Sequence, residues 1–219
     1  MPFSKKSITV GARSSALSRV QVQEVQKELN CIFPDIQFAP TFIETTGDKD
    51  LNTSLRLLDK TDFFTREIDA MQRAGHFQIA IHSAKDLPDP MPEGLVVVAM
   101  TRGLSPADAL VLREGESLDT LSMRAQIGTS SLRREETIKQ LRADLRCVDI
   151  RGTIERRLHL LDTCEVDGVV IAEAALIRLG LTKRTRITLP GPTAPFQGRL
   201  AIVARSDDRE MLELFSAVF

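Results

Sequence analysis

Short apolar runs alternate with amphipathic stretches along most of the chain, and many of the runs end in a turn of small polar residues. Ser7 to Val10 reads as a strand. A helix follows from about Ala16 to Leu29, its faces set by Leu17, Val20, Gln21, Glu24, Val25 and Leu29 at three- and four-residue spacing. Pro34 closes that unit, and a strand around Ile36 to Ile43 leads into the polar turn Thr46-Gly47-Asp48-Lys49-Asp50. Thr65 to Ala74 predicts a helix stopped by Gly75, and Gln78 to His82 predicts a strand. Pro88, Pro90 and Pro92 each remove a backbone donor, so Lys85 to Gly94 predicts a loop before a strand at Leu95 to Met100. The same grammar then restarts. Strands at Ala125 to Ile127, Arg146 to Ile150 and Gly168 to Ile171 alternate with helices at Ser131 to Arg142, Thr153 to Asp162 and Ala174 to Leu179. Pro190-Gly191-Pro192-Thr193-Ala194-Pro195 reads as a crossing linker, followed by a strand from Arg199 to Arg205 and a last helix from about Asp208.

Alternation of strand and helix predicts parallel α/β sheets. The turn at Arg13 resembles the turn at Arg133, as if each opens a similar half. The expected fold is therefore two doubly wound α/β domains of periplasmic-binding-protein-like (type II) architecture. One comprises residues 1–101 with 199–219, and the other, 102–198, is inserted between its parts. Ligands of open α/β sheets gather beyond the carboxyl ends of the strands, so the expected site is a cleft between the domains.

Charge adds a puzzle at those strand ends. Gly11-Ala12-Arg13-Ser14-Ser15, Gly128-Thr129-Ser130-Ser131-Leu132-Arg133-Arg134 and Arg151-Gly152-Thr153-Ile154-Glu155-Arg156-Arg157 all put arginine where a helix begins. A helix N-terminus already carries about half a positive charge, so a cation there costs ~0.3–1 kcal/mol unless an anion sits beside it. Two readings stay open. A carboxylate or phosphate ligand is held by free N–H groups, hydroxyls and forked guanidiniums, or the arginines pair with neighbours such as Glu135, Glu136 and Glu155.

Composition narrows the partners. With 219 residues, 42% hydrophobic and 27% charged, the chain is an ordinary globular protein, and a net charge of -1 argues against a general polyanion binder. Ten Phe and no Trp or Tyr offer no stacking platform, so no nucleic acid is expected. Cys31, Cys147 and Cys164 form no CxxC pair and suit reduced thiols in the cytoplasm. No signal peptide and no membrane span are read. His76, His82 and His159 lack metal-ligand spacing; no metal is expected, and His82 reads as a hydrogen-bonded structural residue.

The most specific string is Ile79-Ala80-Ile81-His82-Ser83-Ala84-Lys85-Asp86-Leu87-Pro88, a strand delivering a lysine and an acid to a loop. Asp86 there is either a turn-forming residue with an ordinary salt bridge or a carboxylate used to stabilise a cation and move a proton. Taken with Gly-Thr-Ser-Ser-Leu-Arg-Arg, Ile-Arg-Gly-Thr-Ile-Glu-Arg-Arg-Leu, Ala12-Arg13-Ser14-Ser15-Ala16-Leu17, Thr45-Thr46-Gly47-Asp48 and Leu176-Ile177-Arg178-Leu179-Gly180-Leu181, the chain resembles the porphobilinogen deaminase (hydroxymethylbilane synthase) family over nearly its whole length.

That resemblance implies a transferase of tetrapyrrole and heme biosynthesis. It would couple four porphobilinogen units head to tail, release ammonia each time and use a dipyrromethane primer as cofactor. It implies Asp86 as the catalytic acid, with Lys85 beside it. It implies Arg13, Arg133, Arg134, Arg151, Arg157 and Arg178 as holders of the acetate and propionate side chains, with Ser15, Ser83, Thr129, Ser130, Ser131 and Gly152 adding donors. Phe64 matches an active-site loop phenylalanine, with core packing as its other reading. Lys60 falls near a family lysine, with a shift of one residue. Family members usually continue into a third small domain whose cysteine anchors the primer, and no cysteine here falls at a matching position. The other reading is a noncatalytic binder of a linear tetrapyrrole or other polycarboxylate. Monomer and dimer are both left open.

Overall fold

The computed structural model describes residues 7–54, 56 and 61–218, so Lys60 lies outside the described residues. The chain divides into two compact units. Unit 1 is residues 1–49, 60–104 and 198–219, and unit 2 is residues 50–59 and 105–197.

In unit 1, β1 (Ser7–Arg13), β2 (Gln37–Ile43), β3 (Ile79–Ser83), β4 (Leu95–Met100) and a late strand, Leu200–Arg205, form one sheet. The order is β2, β1, β3, the late strand, β4. β1 pairs in parallel with β2 and β3, whereas Leu200–Arg205 runs antiparallel to β3 and β4. Helix α1 (Ala16–Asn30) covers this sheet, with Ser18, Gln21, Val22, Val25 and Leu29 buried at three- and four-residue spacing. The predicted contacts Leu17 and Val20 lie beside that stripe and are half-buried. The predicted polar turn after β2 closes instead into one helical turn, α2 (Thr46–Lys49), and α3 (Arg66–Arg73) leads to β3. Ile8, Val10, Val25, Leu29, Ile79, Ile202 and Phe215 belong to the core between these layers.

Unit 2 repeats the plan. β5 (Asp108–Val111), β6 (Gln126–Gly128), β7 (Arg146–Val148), β8 (Gly168–Ala172) and β9 (Arg186–Thr188) are ordered β7, β6, β8, β5, β9. β6 is parallel to β7 and β8, and β5 is antiparallel to β8 and β9. Helices α4 (Leu132–Leu141), α5 (Ile154–Asp162) and α6 (Glu173–Arg178) follow β6, β7 and β8. The chain then forms β10, the late strand Leu200–Arg205 of unit 1, and α7 (Arg209–Ser216).

Both sheets are mixed rather than purely parallel, which corrects the expectation from strand and helix alternation. The reason lies in the crossings. β5 is the first strand of the 105–197 segment of unit 2, and β10 is the first after the chain returns from that segment. Each arrives without a covering helix and enters its sheet in the opposite sense. β5 went unread because its four residues are all buried and therefore show no alternation.

Candidate functional site

In unit 1 the parallel pair β1 and β3 ends in the Arg13 turn and the Lys85-Asp86 turn, at the same edge of the sheet. Arg13 is the last residue of β1. Its Nε donates to Asp48 Oδ2 at 3.3 Å, its Nη2 donates to Oδ1 of the same carboxylate, and its guanidinium lies 4.4 Å from the centre of the Phe64 ring. Phe64 packs so closely on Gly47 that a Cβ there would sit 2.3 Å from its ring. The ring thus acts as a floor for Arg13. Burial works against ionisation of Asp48, but Arg13 and the Thr45 donors outweigh it and hold the carboxyl below its ordinary range. The anion that reconciles Arg13 with its position is therefore supplied by the chain. Ser15 spends its hydroxyl on capping α1, accepting from the Ser18 N–H at 3.2 Å.

Ser83 ends β3, where its hydroxyl accepts from Gln21 Nε2 at 2.9 Å. The next residues, Ala84–Asp86, form a single 3-10 turn. Asp86 is half-buried, and its carboxylate accepts no hydrogen bond and forms no ion pair among the described residues. His82 precedes this turn by two residues and is buried, as expected, but its Nε2 has no hydrogen-bond partner among the described residues. Burial, reinforced by the positive charge of Arg13, lowers its pKa to about 4, so it is neutral at pH 7.

In unit 2 three turns leave the carboxyl ends of three adjacent parallel strands. The first carries Thr129 to Arg134. Thr129 is fully buried and its Oγ1 accepts from the Ser131 N–H at 3.3 Å. Ser130 Oγ donates to the Ile150 carbonyl and accepts from the Ile150 N–H at 3.3 Å, stitching this turn to the next. Ser131 is the N-cap of α4 and makes no capping bond, so its hydroxyl remains available. Arg133 and Arg134 converge on one carboxylate, Asp108, which is 2% exposed. Arg133 Nη2 reaches Oδ2 at 2.7 Å, while Arg134 Nε and Nη2 reach Oδ1 at 3.0 and 2.6 Å. Burial opposes ionisation of Asp108, yet the two guanidiniums prevail and its carboxyl titrates below the ordinary range.

The expected neighbours do not pair with these arginines. Glu135 takes Lys139 at 2.8 Å and Arg56 at 2.9 Å instead. Arg134 also donates to the Val170 carbonyl, so all three of its guanidinium nitrogens are committed and it is 11% exposed. Its guanidinium is held from three sides by the chain itself. Arg133 is 27% exposed; it also donates to the Pro192 carbonyl, and its Nε has no partner among the described residues. One acid under two cations leaves a surplus positive charge at the start of α4.

The second turn holds Arg151, whose Nη2 donates to the Asp50 carbonyl at 2.7 Å, and Arg157, whose Nε donates to the Gly152 carbonyl at 3.0 Å. Gly152 adopts φ +97°, and a Cβ there would meet Arg156 Cδ at 2.5 Å, so only glycine turns the chain here. Thr153 caps α5. In the third segment Arg178 stands on the last turn of α6 and is half-buried. Sequence reasoning missed Asp108, Gln197 and the pairing role of Asp48. The signal for Asp108 was present: a single acid heads a buried apolar strand.

Residues 8–213 match the family described as "Porphobilinogen deaminase, dipyromethane cofactor binding domain". The chain belongs to the porphobilinogen deaminase family. It is 39% identical to a porphobilinogen deaminase of Nostoc sp. over 98% of this chain and 68% of that protein. It is also 39% identical to a probable porphobilinogen deaminase of Chlamydia pneumoniae, over 98% of this chain and 91% of that protein. Among solved structures it resembles a periplasmic substrate-binding protein of an ABC transporter from Coxiella burnetii, with a TM-score of 0.59, 14% identity and coverage of 96% and 91% of the two chains. That likeness concerns the fold alone, which is of the periplasmic-binding-protein type II class.

Dipyrromethane, the group this family implies, presents carboxylate side chains, and the donors of unit 2 suit them. The surplus charge at Arg133, the available Ser131 hydroxyl and the N-terminal amides of α4 form one set of carboxylate donors. A thioether anchor does not fit these turns. Cys31 caps the far end of α1, about 24 Å along the helix from Ser15. Cys164 follows α5, and Cys147 lies half-buried within β7. Among the described residues no helix is long and apolar enough to cross a membrane, and no cluster of His, Cys, Asp or Glu could hold a metal ion.

Proposed function

We propose that this chain is a hydroxymethylbilane synthase, a transferase that condenses four porphobilinogen molecules head to tail with release of ammonia in tetrapyrrole biosynthesis. Membership of the family and the chemistry of the strand ends support this reading. The observation that carries it is the state of Asp86. Asp48 and Asp108 are tied up by arginines, whereas Asp86, at the end of β3 beside Lys85, keeps its carboxylate unengaged among the described residues.

Loss of ammonia from the aminomethyl arm of porphobilinogen leaves a methylene-pyrrole cation spread over the ring. A fixed carboxylate beside the pyrrole N–H stabilises that charge as it develops, and it costs no reorganisation when the bond breaks. Asp86 supplies this negative charge. After carbon–carbon bond formation an α-carbon proton must leave, and an Asp86 carboxylate oxygen takes it as the base. The neutral imidazole of His82 adds no competing positive charge at this end of β3. Arg133, Ser131, Arg151 and Arg157 hold acetate and propionate carboxylates and fix the register of the pyrrole rings. Arg13 presents its remaining donors above Phe64 for the same purpose. Dipyrromethane, when bound, supplies the pyrrole α-carbon from which the chain grows.

A binder that only captures a polycarboxylate has no use for an unengaged acid beside its cations. Three free thiols suit a reducing compartment, and we place the protein in the cytoplasm. Incubation of the purified chain with porphobilinogen tests the activity. Ammonia should appear in step with porphobilinogen consumption, and oxidation of the product should give porphyrin. Binding of porphobilinogen with no ammonia released would overturn the reading.

A further inference from the structure

Asp108 does more than neutralise two arginines. The longer of the two segments of unit 2 runs from Ser105 to Gln197. Gln197 is 4% exposed, and its side-chain amide donates to the Pro106 carbonyl at 2.6 Å, the Ala107 carbonyl at 3.2 Å and Asp108 Oδ1 at 3.0 Å. The Asp108 carbonyl accepts from the Leu189 N–H at 2.8 Å, and Arg133 Nη1 donates to the Pro192 carbonyl at 2.7 Å. One carboxylate therefore gathers both ends of that segment and the first turn of α4. Oδ1 takes Arg134 and Gln197, which leaves Oδ2 to orient Arg133.

We propose that Asp108 is the positioning residue for the Arg133 turn, and that through Gln197 it locks that turn to the two ends of the 105–197 segment of unit 2. The division of labour follows from geometry and burial. Arg134 is consumed in fixing Asp108, and Asp108 fixes Arg133 with donors to spare. A guanidinium held in one direction by a buried acid loses little further freedom when it meets a carboxylate, so affinity is gained through preorganisation. The positioning role rests on the proposed use of Arg133 as a carboxylate holder.

A double-mutant cycle on the whole chain tests it. Asp108→Asn keeps the shape and one acceptor oxygen but removes the charge. Porphobilinogen binding is followed by calorimetry in an Asp86→Asn background, and KM and kcat are measured with Asp86 intact. Asp108→Asn should raise KM and weaken binding about tenfold, by about 1.4 kcal/mol, while kcat changes less than threefold. In an Arg133→Ala background the same substitution should add less than twofold, because the group it positions has gone. A purely structural acid would lower the thermal midpoint and the folded fraction, and hence apparent kcat, with KM unchanged. That result, or full additivity with Arg133→Ala, would overturn the proposal. If Asp108→Asn does not fold, Gln197→Met replaces it in the cycle, with the same direction and a smaller rise in KM. Binding without ammonia release by the wild type would sink the proposed activity while the calorimetric cycle still decides Asp108. No porphobilinogen binding by the wild type would overturn both.

Discussion

The two units treat charge in opposite ways at corresponding strand ends. In unit 1 the cation has a counter-ion of its own and an acid is left over, because Arg13 is paired one to one with Asp48 while Asp86 has no partner among the described residues. In unit 2 the acid is spent and a cation is left over, because Asp108 lies under both Arg133 and Arg134. A common sheet plan thus carries complementary chemistry. One edge suits a developing positive charge, and the other suits the carboxylates of a polyanionic chain.

The largest stability effect that separates the two regions concerns their paired acids. Asp108→Ala leaves two guanidiniums, 27% and 11% exposed, without their buried anion and should cost ~3–5 kcal/mol. Asp48→Ala strands one guanidinium that is 25% exposed, and should cost ~1–3 kcal/mol. Urea titration of the two variants checks the order, and equal losses would break the comparison.

His82 gives an effect of about 3 kcal/mol through pH. Its pKa falls from 6.5 to about 4 on folding, so the unfolded chain takes up the proton first. Its contribution is complete at and above pH 6.5 and is lost as pH falls toward about 4. His82→Leu should flatten the stability profile in that window, as measured by urea titration at successive pH values; an unchanged slope would show that other groups carry it. Asp69 gives a smaller effect of opposite sign. It is 2% exposed on α3, has one carboxylate oxygen without a hydrogen-bond partner among the described residues, and burial raises its pKa. Its ionised form therefore weakens the fold as pH rises. Asp69→Asn should raise the thermal midpoint at pH 7, with the gain shrinking as pH falls.

Periodicity located the strands and helices that have one buried face, among them β4 at Leu95–Met100 and α5 at Ile154–Asp162, to within a residue or two. It missed β5 and β9, which are four and three residues long and too short to display a period. The arginine turns were legible because a cation at a helix start is locally wrong. Their partners were not legible, since Asp48 lies 35 residues from Arg13 and Asp108 lies 25 from Arg133. Local pairing rules point instead to Glu135, which the fold gives to Lys139 and Arg56. Motif order singled out Asp86, but its lack of a partner is a property of the folded chain.

The most direct measurement compares ammonia release from porphobilinogen by the wild-type chain, Asp86→Asn and Asp48→Asn, each checked for an intact fold by circular dichroism and thermal melting. Asp86→Asn should release ammonia at least about a thousandfold more slowly, a barrier increase of about 4 kcal/mol, with its thermal midpoint unchanged. Asp48→Asn should lose stability but retain activity within about tenfold. Near-normal ammonia release by a folded Asp86→Asn protein would contradict the account.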